Sequence, residues 1–243
     1  MDVKAKVKLL VQQVVEAYLQ EQLKSKNQSI AILLGYQSSN PLEVLEAITP
    51  LLDAYEATLL LTSEWLPVPP QLDGKSYVLL EETEQRDLVS IIENTSVLVV
   101  PSASYRLLSK LALTIDDELA VWFAIQYQML GKPIVIANNN IELTVYQLIH
   151  ATHTVKERIQ SYIKQILTDR VSWVPLSKLS KNVEQQMIAY EEKKALILEK
   201  HIEKAHRDGL TEIFVPLKSQ VTPAAKDLAR DMKIQIKQSS KGG

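Results

Sequence analysis

Three apolar runs in this chain each give way to small, hydroxyl-bearing residues. Ile30–Leu34 leads into Gly35-Tyr36-Gln37-Ser38-Ser39-Asn40-Pro41, Thr58–Thr62 into Ser63, and Val97–Val100 into Pro101-Ser102-Ala103-Ser104. Hydroxyls and free backbone N–H groups at a helix N-terminus are the chemistry that holds an anionic or heterocyclic ligand. The third turn is the most specific, because two helical segments, Gly131-Lys132-Pro133 and a further buried strand, Ile134–Ala137, follow it. Three strands ending in serine place Ser38, Ser39, Ser63, Ser102 and Ser104, with Gly35 and Ala103 beside them, along one crevice. The plain alternative for each serine alone is a helix cap or a strand end. The chain has only 6 Gly, and it carries neither a GxGxxG turn nor a P-loop.

Other reactive residues group less well. Asp116, Asp117 and Glu118 form an acidic triplet. A metal site is one reading. A helix start, with Thr114 as N-cap and Asp117 at the third position, is the better one, since acids favour that end of the helix dipole. His150 and His153 share a helical spacing without a carboxylate at ligand distance, so solvated histidines are expected there rather than zinc. No GxSxG elbow marks a serine hydrolase, and no catalytic residue is assigned.

Composition narrows the classes further. The chain has 243 residues, no Cys, and a formal net charge of −2. Thiolate metal sites, disulfides and cysteine nucleophiles are thereby excluded. The charge argues against a dedicated nucleic-acid binder. No run of about 18 apolar residues predicts a membrane span, and the N-terminus does not read as a signal peptide. A cytoplasmic protein is the expectation.

The elements that must position the serines alternate. Residues 1–27 read as an amphipathic helix, with Val7, Val11, Val14 and Tyr18 on one face. Strands at 30–34, 58–62, 77–80, 97–100 and 134–137 are separated by helices opening at Pro41, at Glu84 and after Ser104. That order predicts a three-layer α/β domain with a parallel sheet, Rossmann-like or flavodoxin-like, over residues 28–140. The helix expected over Ile115–Leu130 is apolar on most sides, so the C-terminal residues or a second subunit must cover part of it. Residues 141–243 read as helical and α/β additions. They include helices at 141–151 and 154–168, a strand at 171–174, a long charged helix at 184–207, strands at 212–216 and 234–236, and no internal repeat.

The stretch PSASYRLLSKLALTIDDEL followed by GKPIVIAN resembles the flavoprotein superfamily of peptidyl-cysteine decarboxylases, phosphopantothenoylcysteine decarboxylases and flavin prenyltransferases. Their counterpart is a Pro-Ala-Ser/Thr-Ala-Asn-Thr turn, a Lys-Ile-Ala helix, a Gly-Ile-Ala-Asp-Asn-Leu break and a Gly-Lys-Pro strand entry. Aligned on Lys110, Ser104, Ala112, Asp117 and Leu119 match that pattern. The resemblance implies FMN as cofactor, with its phosphate at the Gly35–Ser39 loop, and a trimer or larger homo-oligomer. Arg106 stands where the motif has Asn, Leu107 where it has Thr, and Thr114 where it has Gly; the first histidine is His150. Cysteine decarboxylation is therefore not expected, and Arg106 is free to meet a phosphate or carboxylate. The closing segment VTPAAKDLARDMKIQI resembles that of ethanolamine- and propanediol-utilisation proteins, which implies microcompartment association and partners from that system.

Overall fold

Runs of valine, isoleucine and leucine too short to be helices make the central sheet. In the computed structural model, which describes residues 28–66, 76–192, 195–216 and 219–239, six strands pair in parallel. They are β1 (Ser29–Leu34), β2 (Glu56–Leu61), β3 (Tyr77–Leu79), β4 (Val97–Val100), β5 (Ile134–Ala137) and β6 (Val171–Val174), in the order β3-β2-β1-β4-β5-β6. The helix expected before β1 lies outside the described residues.

Alternation along each strand feeds two cores. Ala31, Leu33, Leu98, Val100, Ile134 and Ile136 face one side; Ile30, Ile32, Leu34, Val97, Val99, Val135 and Ala137 face the other. Helix α1 (Pro41–Ala54) covers the second side with Val44, Leu45, Ile48 and Leu51. Leu179, Val183 and Met187, from α7 (Leu179–Glu192), join it there. The first side receives α2 (Gln85–Asn94), α3 (Tyr105–Leu113), α4 (Leu119–Met129) and Ile166 of α6 (His153–Thr168). Between β5 and α6 a short helix, α5 (Val145–His150), buries no side chain. Burial of both faces is what makes these strands continuously apolar.

Several expectations change. Thr114 does not open a helix. It closes α3 in a left-handed turn (φ 55), and α4 starts only at Leu119 behind Glu118. The acids fail to nucleate a turn because Asp117 and Glu118 are held by Lys110 instead. Asn40 occupies the N-cap of α1 without a capping bond; its side-chain amide donates to Glu43 Oε2 at 3.0 Å. The apolar helix α4 buries Ala120, Val121, Phe123, Ala124, Ile125 and Tyr127, and Trp122 packs on the same core. The chain itself therefore covers most of a surface that the sequence leaves open to a subunit contact. Strong exposure of apolar side chains falls on α5, at Val145, Tyr146, Leu148 and Ile149, and on Met129 at the end of α4.

The boundary expected at 140 falls inside this unit, because β6 pairs with β5 and extends the sheet. The first compact unit runs to Met187 and the second from Ile188. In the second, the long helix expected at 184–207 is interrupted. The apolar Leu196-Ile197 leaves the helix as strand β7 (Leu196–Ile197), pairs in parallel with β9 (Gln220–Val221), and gives way to α8 (Glu199–Arg207). Strand β8 (Glu212–Pro216) pairs in parallel with β10 (Gln235–Ser239), and α9 (Pro223–Asp231) packs on α8.

This second unit is an internal repeat. Leu210 N donates to Ala205 O and Ile234 N to Ala229 O, the same closing bond at 2.9 and 2.8 Å. Gly209 and Lys233 take the same left-handed turn, φ 71 and 54. Two β–α–β turns of the chain thus stack on one another around Ile202, Ala205, Ala225, Ala229 and Ile234. The repeat escapes sequence reading because its equivalent positions share backbone shape, while residue type matches at Ala205 and Ala229 but not at Gly209 and Lys233.

Candidate functional site

Strand order reverses between β1 and β4, and the loops leaving their carboxyl ends border the crevice where α/β sheets bind ligands. The sheet delivers three of the expected serines to this place. Asn140 Nδ2 donates to Ser102 Oγ at 2.9 Å and to Ser38 Oγ at 3.4 Å, and Ser39 Oγ donates to Asn140 Oδ1 at 3.3 Å. Ser102 is fully buried and Ser38 nearly so. Loops after β1, β4 and β5 thus meet in one neutral cluster of hydroxyls around a carboxamide. A neighbouring carboxamide oxygen, Asn139 Oδ1, is buried with no hydrogen-bond partner among the described residues.

Tyr36 locks the first loop. Its carbonyl accepts from Trp65 Nε1 at 2.9 Å and from Ser102 Oγ at 3.3 Å, and its hydroxyl donates to Glu118 Oε2 at 2.7 Å. Burial, reinforced by the Glu118 bond, raises the Tyr36 hydroxyl well above its ordinary range. Burial pushes the Glu118 carboxyl up, but bonds from Lys110 and Tyr36 outweigh it and leave Glu118 below the usual carboxylate range. Lys110 also donates to Asp117 at 2.6 Å. Gly35 serves packing: a Cβ there would lie 2.9 Å from the Cβ of Ala120.

The remaining predicted residues do not join the cluster. Ser63 donates through its N–H and its hydroxyl to Glu81 Oε1, at 3.0 and 3.3 Å. Gln37 N likewise donates to Glu64 Oε2 at 3.1 Å. Carboxylates therefore occupy the donors on the β2 side, where an anion would be repelled. Ser104 is the N-cap of α3, accepting from Leu107 N at 3.1 Å, and Ala103 is buried in the core. Arg106 sits over the ring of Tyr36, with its Nε 3.7 Å from Glu118 Oε1. Among the described residues no group of three His, Asp or Glu side chains is arranged to hold a metal.

Sequence reading missed Asn140, the hub of the cluster. The signal was present: Asn138-Asn139-Asn140 ends a buried strand in the way that Ser102–Ser104 does. It also missed Tyr36 and Glu118, whose meeting across 82 positions no local pattern announces.

Fold and crevice together define a doubly wound α/β protein whose strand order switches between β1 and β4. No protein-family model matches the chain, and no curated protein matches it in sequence. Solved structures do. Apo DmrB of Burkholderia xenovorans, described as a cubic protein cage for redox transfer, superposes with a TM-score of 0.54 at 14% identity, covering 68% of this chain and 98% of DmrB. TvaF, an FMN-dependent cysteine decarboxylase from thioviridamide biosynthesis, gives 0.52 at 13%, covering 66% and 98%. The FMN-dependent cysteine decarboxylase SpaF gives 0.52 at 16%, covering 69% and 98%. The structural neighbours are thus flavoproteins, and the likeness establishes the Rossmann-like fold.

Proposed function

We propose that the carboxyl edge of the sheet binds FMN, with the phosphate on the β1–β4–β5 side. The observation that carries this reading is the Ser38–Ser102–Asn140 cluster. Its members are small and uncharged, and they come from three separate loops at the switch point. Hydroxyls rotate at little cost and can turn their protons to phosphate oxygens. The Asn140 amide, now shared between two serine oxygens, would donate more strongly to an anion. Ser39 completes the set at the rim. The group therefore fits the residues present, whereas Ser63, committed to Glu81, is not part of the cradle.

Bound flavin would supply redox chemistry at its ring. The chain's part is to hold the phosphate, to fix the first loop through Tyr36 and Trp65, and to shield the cluster from water. The reaction is other than cysteine decarboxylation, because Arg106 stands in the motif's Asn position and no histidine precedes His150. A charged guanidinium offers donors only, where a carboxamide offers donor and acceptor.

Self-association belongs to this reading. It is supported by the cage described for DmrB and by the exposed apolar side chains of α5. A setting in ethanolamine or related microcompartment metabolism rests on the closing segment 221–236 alone. No helix among the described residues is long and apolar enough to cross a membrane.

The test is direct. Saturate the purified chain with FMN, desalt it, and record absorbance and fluorescence. Retained or titratable flavin supports the proposal. Its absence leaves a non-catalytic protein that kept the fold and lost the cofactor. Light scattering on the same sample reads assembly, and a clean 27.4 kDa monomer removes the oligomer.

A further inference from the structure

Arg106 stands apart from the hydroxyl cluster. Its guanidinium carbon lies 6.0 Å from the centroid of the Tyr36 ring, and its Nε is 3.7 Å from Glu118 Oε1. The aromatic face and the carboxylate both attract the guanidinium to this place. Glu118 is itself anchored by Lys110 and by the Tyr36 hydroxyl, so the arginine is tied to a fixed group. Among the described residues its terminal nitrogens have no partner, and the side chain is 58% exposed. The result is a guanidinium with free N–H donors at the carboxyl edge, beside the switch point.

The local charges are three acids, Asp116, Asp117 and Glu118, and two cations, Lys110 and Arg106. Lys110 is committed to both Asp117 and Glu118. The remaining acid of the loop, Asp116, makes no bond to either cation. Of the two cations, Arg106 is therefore the one that keeps unused N–H donors, at its two terminal nitrogens. Two parallel N–H groups match the spacing of carboxylate or phosphate oxygens. Tyr36 lies between this guanidinium and the neutral cluster: its carbonyl end is bound to Ser102, and its ring carries Arg106.

We propose that Arg106 recognises the anionic group, carboxylate or phosphate, of the substrate brought to this edge, at a place distinct from the phosphate of the flavin. Calling that anion a substrate rests on the flavin reading; binding of the anion by Arg106 does not. The geometry also separates two jobs within one crevice. Neutral rotors hold the cofactor, and a stacked cation reads what arrives.

The test titrates the full chain with pyrophosphate and, separately, with glutarate by calorimetry, with and without FMN, for wild type, Arg106→Gln and Arg106→Lys. Arg106 is largely exposed, and circular dichroism confirms that the variants fold. Wild type binds at least one probe, and Arg106→Gln weakens that binding about ten-fold or more, the loss expected for a bidentate charged pair. Arg106→Lys falls between them, because an ammonium presents no parallel pair. FMN retention is unchanged in both variants. Dependence confined to pyrophosphate assigns a phosphate ester, and dependence confined to glutarate a carboxylate. Three results overturn the proposal: no binding of either probe by wild type, equal binding by Arg106→Gln, or joint loss of probe and FMN in that variant. The last would put Arg106 on the cofactor itself. If wild type retains no FMN yet binds a probe through Arg106, the flavin reading falls and the anion site stands.

Discussion

The two ends of the central sheet hold buried polar groups in opposite ways. At the amino end, Lys132 enters β5 with 3% of its surface exposed. Its Nζ donates to Ile92 O, Glu93 O and Thr95 O, at 2.5, 3.0 and 2.8 Å. Those carbonyls end α2 and have few helical partners, so every donor of the ammonium is used on backbone that needs it. At the carboxyl end, Asn140 shares one amide between two serine oxygens, and Asn139 keeps a buried oxygen without a hydrogen-bond partner among the described residues. A saturated polar cluster is a structural joint, because any rearrangement strands a buried group. A cluster with shared donors and spare acceptors can be re-aimed at a ligand with small loss. The contrast explains why the Gly131-Lys132-Pro133 sequence is architecture, while Ser38, Ser39 and Ser102 belong to the proposed site.

The largest effect that would break this contrast is expected at the amino end. Lys132→Met should cost about 2–4 kcal/mol of stability, since it leaves the end of α2 uncapped and buried. Chemical denaturation measures it. Once folded, the variant should retain FMN as wild type does, and a stable variant would show that the joint is dispensable.

Next comes a pH effect at the same residue. Burial lowers Lys132 from its ordinary range to about 8, partly offset by Glu93. Between pH 8 and the ordinary lysine range the unfolded chain holds a proton that the folded chain releases, so stability rises with pH across that window. The gain is on the order of 2 kcal/mol at about 1.4 kcal/mol per unit. Stability measured at pH 7.5 and 10 should rise more in wild type than in Lys132→Met; equal slopes would remove the burial argument.

Asn140→Ala reverses the pattern. FMN affinity should fall about ten-fold, near 1.4 kcal/mol, while the loss of stability stays under about 1 kcal/mol. Flavin titration and denaturation on the same sample decide; a large stability loss with intact FMN binding would make this cluster a joint too. The smallest effect is expected on the β2 side. Glu81→Gln should change FMN affinity less than about three-fold, because Ser63 is outside the cradle. A strong gain in affinity would return Ser63 to the site.

What was legible in the sequence follows from local physics. Short apolar runs and the proline and serine breaks after them determined the strands, their parallel arrangement and the edge proposed for the ligand. Ser38, Ser39 and Ser102 were legible as hydroxyls where buried strands end, and the sheet brings those three together around Asn140. Spacing along the chain does not carry the rest. Asn140 became the hub only when β5 took its place beside β4. Glu118 and Tyr36 met only when α4 packed against the end of β1, and Ser63 turned away only because Glu81 lay within reach. The acidic triplet that looked like a helix start was drawn to Lys110. Sequence settles where polar groups can emerge from a buried strand. Tertiary packing alone decides which partner each one finds, because a hydrogen bond is chosen by distance in space, and neighbouring strands here lie tens of residues apart in the chain.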